Sequence, residues 1–135
     1  MQYIYDMLNW RQPLEIQEEG KRLAKEIADL SLLIMPPAEA SVWECCADIL
    51  YEKSDDELEP YLVELLEWLY DLNWPGASTI LKRLKMFSAV KLEKPLIYSF
   101  NRSVGLGDEG LRWKYSLCEL LNKNAADSSL SSDES

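Results

Sequence analysis

Histidine is missing from all 135 positions, so catalysis could not rest on the commonest general base near neutral pH. Bases are scarce as well: 14 Lys and Arg face 24 Asp and Glu, for a formal net charge of -10. That balance disfavours nucleic acid and anionic membrane as partners and favours a basic protein. No Cys-x-x-Cys pair occurs. Cys45 and Cys46 fall on one stripe with Val42, Ile49 and Leu50, which reads as buried, reduced thiols in a reducing cytoplasm. No apolar segment approaches the roughly 18 residues of a membrane span, and Met1 to Asp6 lacks the basic start and apolar run of a signal peptide. A cytoplasmic protein is expected. Period-two alternation of useful length is also absent, which argues against a sheet.

What is present is one domain's worth of helical pattern. At 47% hydrophobic, the chain can bury roughly two-thirds of its unfolded surface. Ile4 to Leu8 is a short apolar lead-in. Pro13 suits the first turn of a helix to about Ala28 or Leu30, with Ile16, Gly20, Leu23, Ile27 and Leu30 inward. Pro36 and Pro37 then stop the chain. Ser41-Val42-Trp43-Glu44 and Ser54-Asp55-Asp56-Glu57 both have capping-box spacing, so a helix is expected from the first to about Glu52, and a short turn from the second that leads, through Pro60, into the apolar run to Tyr70. Ser88 to Lys94 reads as a loop and Pro95 as the start of a helix to about Ser103. Gly105-Leu106-Gly107 breaks it, and Asp108 caps a last helix with Leu111, Tyr115, Cys118 and Leu121 inward and Leu117 and Leu120 widening that face, ending at Asn122. Residues 1–122 form a single helical repeat domain on this reading, and 123–135 an acidic, Ser-rich tail.

The stretch Glu67 to Ala77 is the hinge between two packed helices. Leu62, Leu65, Leu66, Leu69 and Leu72 precede it, and Ala77, Ile80, Leu81, Leu84 and Phe87 follow, both at helical spacing. Asn73 is the expected cap or left-handed residue, and Pro75 suits the first turn of the second helix. Leu8-Asn9-Trp10 is echoed by Leu72-Asn73-Trp74, and Lys21-Arg22-Leu23 by Lys82-Arg83-Leu84. The offset is close to two hairpins of an α-solenoid. The fold class expected is all-α, a HEAT-like α-solenoid of six or seven antiparallel helices without a sheet.

Leu66-Glu67-Trp68-Leu69-Tyr70-Asp71-Leu72-Asn73-Trp74-Pro75 resembles the Leu-Glu-Trp-Leu-x-Asp-x-Asn-Trp-Pro signature of a bacterial family of small uncharacterised proteins. Lys53 to Leu62 is similar to that family's lead-in, and Met7-Leu8-Asn9-Trp10 resembles the start of its longer members, so the resemblance covers roughly Met7 to Leu84. It implies a HEAT-like helical fold in a bacterial cytoplasm and no established activity.

Gly105-Leu106-Gly107-Asp108-Glu109-Gly110 spells the dinucleotide fingerprint, but no strand precedes it and its two acids would repel a pyrophosphate. It is an interhelical loop. The strongest charge feature is the run Asp55, Asp56, Glu57, Glu59, Glu64, Glu67 and Asp71, which has no base within it. Glu64, Glu67 and Asp71 sit at i, i+3, i+7 and share a helix face on this reading. The next segment reverses the sign with Lys82, Arg83, Lys85, Lys91 and Lys94, as packed neighbours that complement each other would. Trp43 and Trp68 lie beside their main stripes and are expected to pack between repeats or to anchor a partner.

These features converge on a cytoplasmic binding module without catalysis, cofactor or metal. Glu64, Glu67, Trp68 and Asp71 are expected to meet a basic protein partner, and one concrete form is an immunity-type protein neutralising a basic nuclease toxin. The alternative is a small hydrolase or metal-dependent enzyme with a buried carboxylate site. Self-association through an apolar repeat face, giving a homo-oligomer, is the third reading.

Overall fold

Apolar spacing at helical period decides the architecture. The computed structural model describes residues 2–134, with side chains described through residue 122. Among the described residues there is no strand, and eight α-helices alternate with short 3-10 turns. They are α1 (Gln2–Leu8), α2 (Leu14–Ala24), α3 (Trp43–Tyr51), α4 (Asp55–Leu58), α5 (Leu62–Glu67), α6 (Ala77–Lys85), α7 (Ala89–Gly105) and α8 (Leu111–Glu134). The fold is all-α. Packing links α1 to α2, α2 to α3, α3 to α6, α5 to α7, and α8 to both α7 and α6. A continuous apolar cluster runs through them, from Leu8 and Ala24 to Leu117 and Leu120.

Ends of elements depart from simple propensity where a competing local bond intervenes. Ser54 forms the expected capping box with Glu57 and opens α4. Ser41 does not cap: it is buried inside a 3-10 turn, Ala40–Val42, and its hydroxyl donates to Glu39. The first long helix ends at Ala24 rather than near Leu30, because Leu30 is buried in a separate 3-10 turn opened by Asp29. At the other end of the helix Ile16 is exposed rather than inward.

The expected loop at Ser88 to Lys94 is helix, and α7 passes through Pro95. Ser88 accepts a bond from Lys91 N and gives its own N–H to Asp55, so the helix starts well before the proline. A proline inside a helix costs about 3 kcal/mol. Burial of Leu92 and Leu96 on the same face offsets it, at roughly 1.5–3 kcal/mol for each side chain.

Helix α8 is turned relative to the stripe expected for it. Trp113, Ser116, Leu117 and Leu120 face inward, while Leu111 and Tyr115 are exposed. Two overlapping stripes compete on this helix, and the one holding the larger indole wins. The backbone stays helical through residues 123–134, where composition reads as a tail, and their side chains lie outside the described residues. In the Gly-rich loop, Gly110 is a packing glycine: a Cβ there would stand 2.2 Å from the Ser103 carbonyl oxygen. Asp108 lies within the 3-10 turn Gly107–Gly110, not at a helix cap.

The hinge is built around Trp68, which is 0% exposed. Its indole N–H donates to the Pro75 carbonyl at 3.0 Å. Asp71 turns extended (φ -139°, ψ 112°) and accepts the Asn73 N–H, Trp74 N bonds back to the Asp71 carbonyl, and Ala77 N to Trp74. Leu72 is thereby pushed out to solvent. Gly76, not Asn73, supplies the left-handed residue, at φ 84°, and α6 begins only after Pro75. A side chain on Gly76 would meet the Ala47 Cβ at 2.8 Å, the Trp43 carbonyl oxygen at 2.9 Å and the Trp68 ring at 2.9 Å. The echo at Leu8-Asn9-Trp10 is only partial: Leu8 is buried where Leu72 is exposed.

Gly76→Ala should therefore lose about 2–4 kcal/mol, combining left-handed strain with overpacking. Gly105→Ala meets nothing within 4 Å and should be neutral or gain up to about 1 kcal/mol. Urea unfolding of the two variants checks this; equal stabilities would contradict the tight-turn account.

Candidate functional site

The segment Glu67 to Trp74 sits between two shallow grooves. On one side Met35, Glu67, Tyr70, Trp74, Arg102, Leu106 and Trp113 line a groove of about 290 Å³. On the other, Asp71, Leu72, Asn73, Arg112, Tyr115, Ser116 and Glu119 line one of about 240 Å³. Both follow from the way α5 ends. The 3-10 turn Trp68–Tyr70 and the extended Asp71 send alternate side chains in opposite directions, with Trp68 inward and Tyr70 toward the first groove.

Aromatic rings form the floor. Tyr70 and Trp74 stack at 5.7 Å between centroids, and Tyr70 lies 5.8 Å from Trp113. Trp43 meets Trp68 and Trp74 edge to face at 6.0 and 5.9 Å. Such pairs contribute roughly 0.5–1.5 kcal/mol each beyond area burial. Three indole N–H groups are satisfied by loop or helix-end carbonyls: Trp43 by Pro36, Trp68 by Pro75 and Trp113 by Leu66. The floor is rigid for that reason. Met35 at its rim has a φ of 42°, an uncommon left-handed value for this side chain. The bonds from Tyr5 to Leu32 O and from Trp43 to Pro36 O hold its loop on both sides.

The acidic run is largely answered within the chain. Asp55 pairs with Arg83 at 2.7 Å, Asp56 with Lys91 at 2.7 Å, Glu67 with Arg102 at 2.7 Å and Asp71 with Arg112 at 3.8 Å. Glu57 and Glu59 reach Lys53 and Lys91 at 4.0 and 3.9 Å. Only Glu64 of this run makes no ion pair among the described residues. Arg83 is not a surface base: it is 7% exposed, donates to the Lys53 carbonyl and lies 5.7 Å over Phe87. With Asp55 also accepting from Ser88 N, it ties α4, α6 and the start of α7 together.

Two sequence expectations about the site need correction. Trp68 cannot touch a partner, because it is buried and bonded within the hinge. Glu64, Glu67 and Asp71 do not share one helix face, since α5 ends at Glu67 and Asp71 has left helical geometry. The structure brings Glu67 and Asp71 to the two grooves and leaves Glu64 outside both. Trp113 and Arg102 are the residues that sequence reasoning missed. Arg102 gave no signal, because its partners Glu67 and Trp113 lie on other elements and meet it only in the fold.

Surface pairs of this kind are exchangeable. Arg102 and Glu67 are each about two-fifths exposed, and such a pair contributes about 0–1 kcal/mol. The hydrogen bond to Glu67 raises the affinity of the Arg102 guanidinium for its proton. The same guanidinium lies 5.4 Å from the Trp113 ring and 5.6 Å from the Tyr98 ring.

Buried polar side chains among the described residues are Ser41, Arg83, Ser99, Ser103 and Ser116, so no carboxylate is among them. No group of three or more Cys, Asp or Glu is placed to hold a metal ion among the described residues. No helix among the described residues is long and apolar enough to cross a membrane. Cys45 and Cys46 are buried free thiols. Burial, with Cys45 alongside, pushes the Cys46 thiol up to about 12.

Asp56 is held below its ordinary value of 3.8 by its bond to Lys91, and Glu57 below 4.5 by its bonds to Ser54. Folded values below unfolded ones mean stability that is complete above the unfolded values and is lost as pH falls through the folded ones. Urea midpoints should be level between about pH 7 and 5 and fall below about pH 4.5. The Asp56→Asn, Glu57→Gln double variant should show a shallower fall, and an unchanged acid limb would contradict these assignments. Iodoacetamide at pH 8 should leave Cys46 unlabelled until the protein unfolds; labelling in the native state would refute its burial.

Comparison with known proteins bears on the same segments. No curated protein and no solved structure matches the chain. A family model described as Domain of unknown function (DUF5071) matches residues 44–132. That range starts later than the resemblance noted from Met7 and extends far beyond Leu84, so α7 and α8 are included. Of the residues lining the first groove it leaves out only Met35. Spanning most of the chain and nearly the whole site, this match places the protein in the DUF5071 family.

Proposed function

We propose that the protein is a non-catalytic protein-binding module that takes a basic peptide segment across Glu67 to Trp74. A HEAT-like reading of the stack supports a surface-presenting role: α3 lies on α6 and α5 on α7, so helices two or three apart in the chain are neighbours. A cytoplasmic setting and an immunity-type role against a basic toxin fit the same reading. The observation that carries it is the pair of grooves flanking one segment, the first with an aromatic floor and Glu67 at its edge, the second with Asp71 at its edge. Aromatic rings supply contact area at low entropic cost, and the carboxylates select for positive charge. The net charge of -10 steers basic partners toward the molecule.

Selection from a random peptide-display library tests this. Enriched peptides should carry Arg or Lys beside an aliphatic or aromatic residue. Loss of charge in the Glu67→Gln, Asp71→Asn double variant should weaken their binding roughly tenfold, the effect of about 1.4 kcal/mol. No enrichment, or enrichment of acidic peptides, would overturn the proposal.

A further inference from the structure

The first groove already holds a cation, and that cation belongs to the protein. Arg102 stands near the end of α7 with its Nη1 2.7 Å from Glu67 Oε1. Its guanidinium carbon lies 5.4 Å from the Trp113 ring and 5.6 Å from the Tyr98 ring. A carboxylate beside aromatic faces is the surrounding that a planar guanidinium recognises through charge-assisted bonding and cation–π attraction. The side chain is 41% exposed, and its described hydrogen bond is the one to Glu67. It can swing into solvent, and doing so uncovers the ring of Trp113, which is 2% exposed with Arg102 over it.

We propose that Arg102 is an internal occupant of an arginine-binding site, and that an arginine side chain of a basic peptide partner displaces it to pair with Glu67 over Trp113. This rests on the binding reading above and deepens it by naming the side chain recognised and the group that opposes it. Charge complementarity selects the occupant: the chain carries -10 overall, and the groove edge offers a carboxylate once Arg102 leaves. Rings prefer arginine to lysine here, because the flat guanidinium stacks on an aromatic face whereas an ammonium is a strongly hydrated point charge. Tyr70 and Trp74 continue the floor beyond Trp113, and Met35 and Leu106 at the rim meet the aliphatic stem and its neighbour. Arg102 thus makes the resting protein a weak binder and sets a threshold that only a well-fitting partner passes.

Removing the occupant has the opposite sign from removing a contact, which makes the test sharp. The probe is a fluorescein-labelled Gly-Ser-Arg repeat peptide, with versions carrying lysine or citrulline in place of arginine, titrated against the full chain by anisotropy. Arg102→Ala should tighten arginine-peptide binding about five- to thirtyfold, and Glu67→Gln should weaken it about tenfold. Citrulline peptide should not bind, and lysine peptide should bind less than arginine peptide. Arg102→Gln removes the charge with a smaller loss of side-chain volume and should also tighten binding, which covers loss of folding in the alanine variant. If both Arg102 variants fold and bind no more tightly than the parent while Glu67→Gln weakens binding, the internal-occupant idea is wrong and the basic-peptide reading stands. Absence of arginine-peptide binding by the parent and by both Arg102 variants would overturn both.

Discussion

Burial of the Trp68 indole, with its N–H bonded to the Pro75 carbonyl, is the constraint from which the rest follows. An indole taken out of water must keep a hydrogen-bond partner, and the carbonyl that supplies it belongs to the turn it sits under. That bond forces the chain to reverse within Asp71 to Gly76. A left-handed glycine is then needed where the turn meets Ala47 and Trp43, and α6 is delivered onto α3. Truncating a buried aromatic of this size costs about 3–5 kcal/mol, a large part of the stability of a small domain. The grooves on either side of Glu67 to Trp74 are by-products of the same reversal.

Charge organises the second half of the molecule in a complementary way. α4, α5 and the turn after them carry acids, and α6 to α8 carry the bases that answer them through Arg83, Lys91, Arg102 and Arg112. Arg83 with Asp55 differs in kind from the others. It is nearly buried, so removal of one partner strands a charge out of water, whereas the outer pairs exchange with solvent at little cost. One bridge therefore locks elements together, and the outer ones set the electrostatic character of a surface. Membership of the DUF5071 family covers both the lock and the grooves.

Much of the architecture was legible because apolar spacing is a local property. The stripes of α5 and α6, the Ser54 capping box and the buried Cys45 and Cys46 are all read from adjacent residues. Two of the misreadings share a cause, which is a distant partner overriding a local signal. Ser88 anchored on Asp55 started α7 ahead of Pro95, and Trp113 bonded to Leu66 O rotated α8 away from the Leu111 stripe. The acids of the site were legible as charge but not as geometry. Glu67 and Asp71 were rightly singled out as residues, whereas the change from helix to extended backbone at Asp71 depends on Trp68 being buried beneath it. Arg102 on α7 and Trp113 on α8 come from far along the chain and only meet Glu67 and Tyr70 once the core closes.

Hydrogen exchange at the indole N–H groups, resolved by NMR across a range of low urea concentrations, tests the central role of Trp68 most directly. Global unfolding should be the only route to exchange for Trp68, so its opening free energy should equal the stability from urea unfolding and show the full urea dependence. Trp10, half exposed, should exchange freely and serve as the internal reference. A Trp68 indole that exchanges through a small local opening, with little urea dependence while the rest of the core stays protected, would contradict the account.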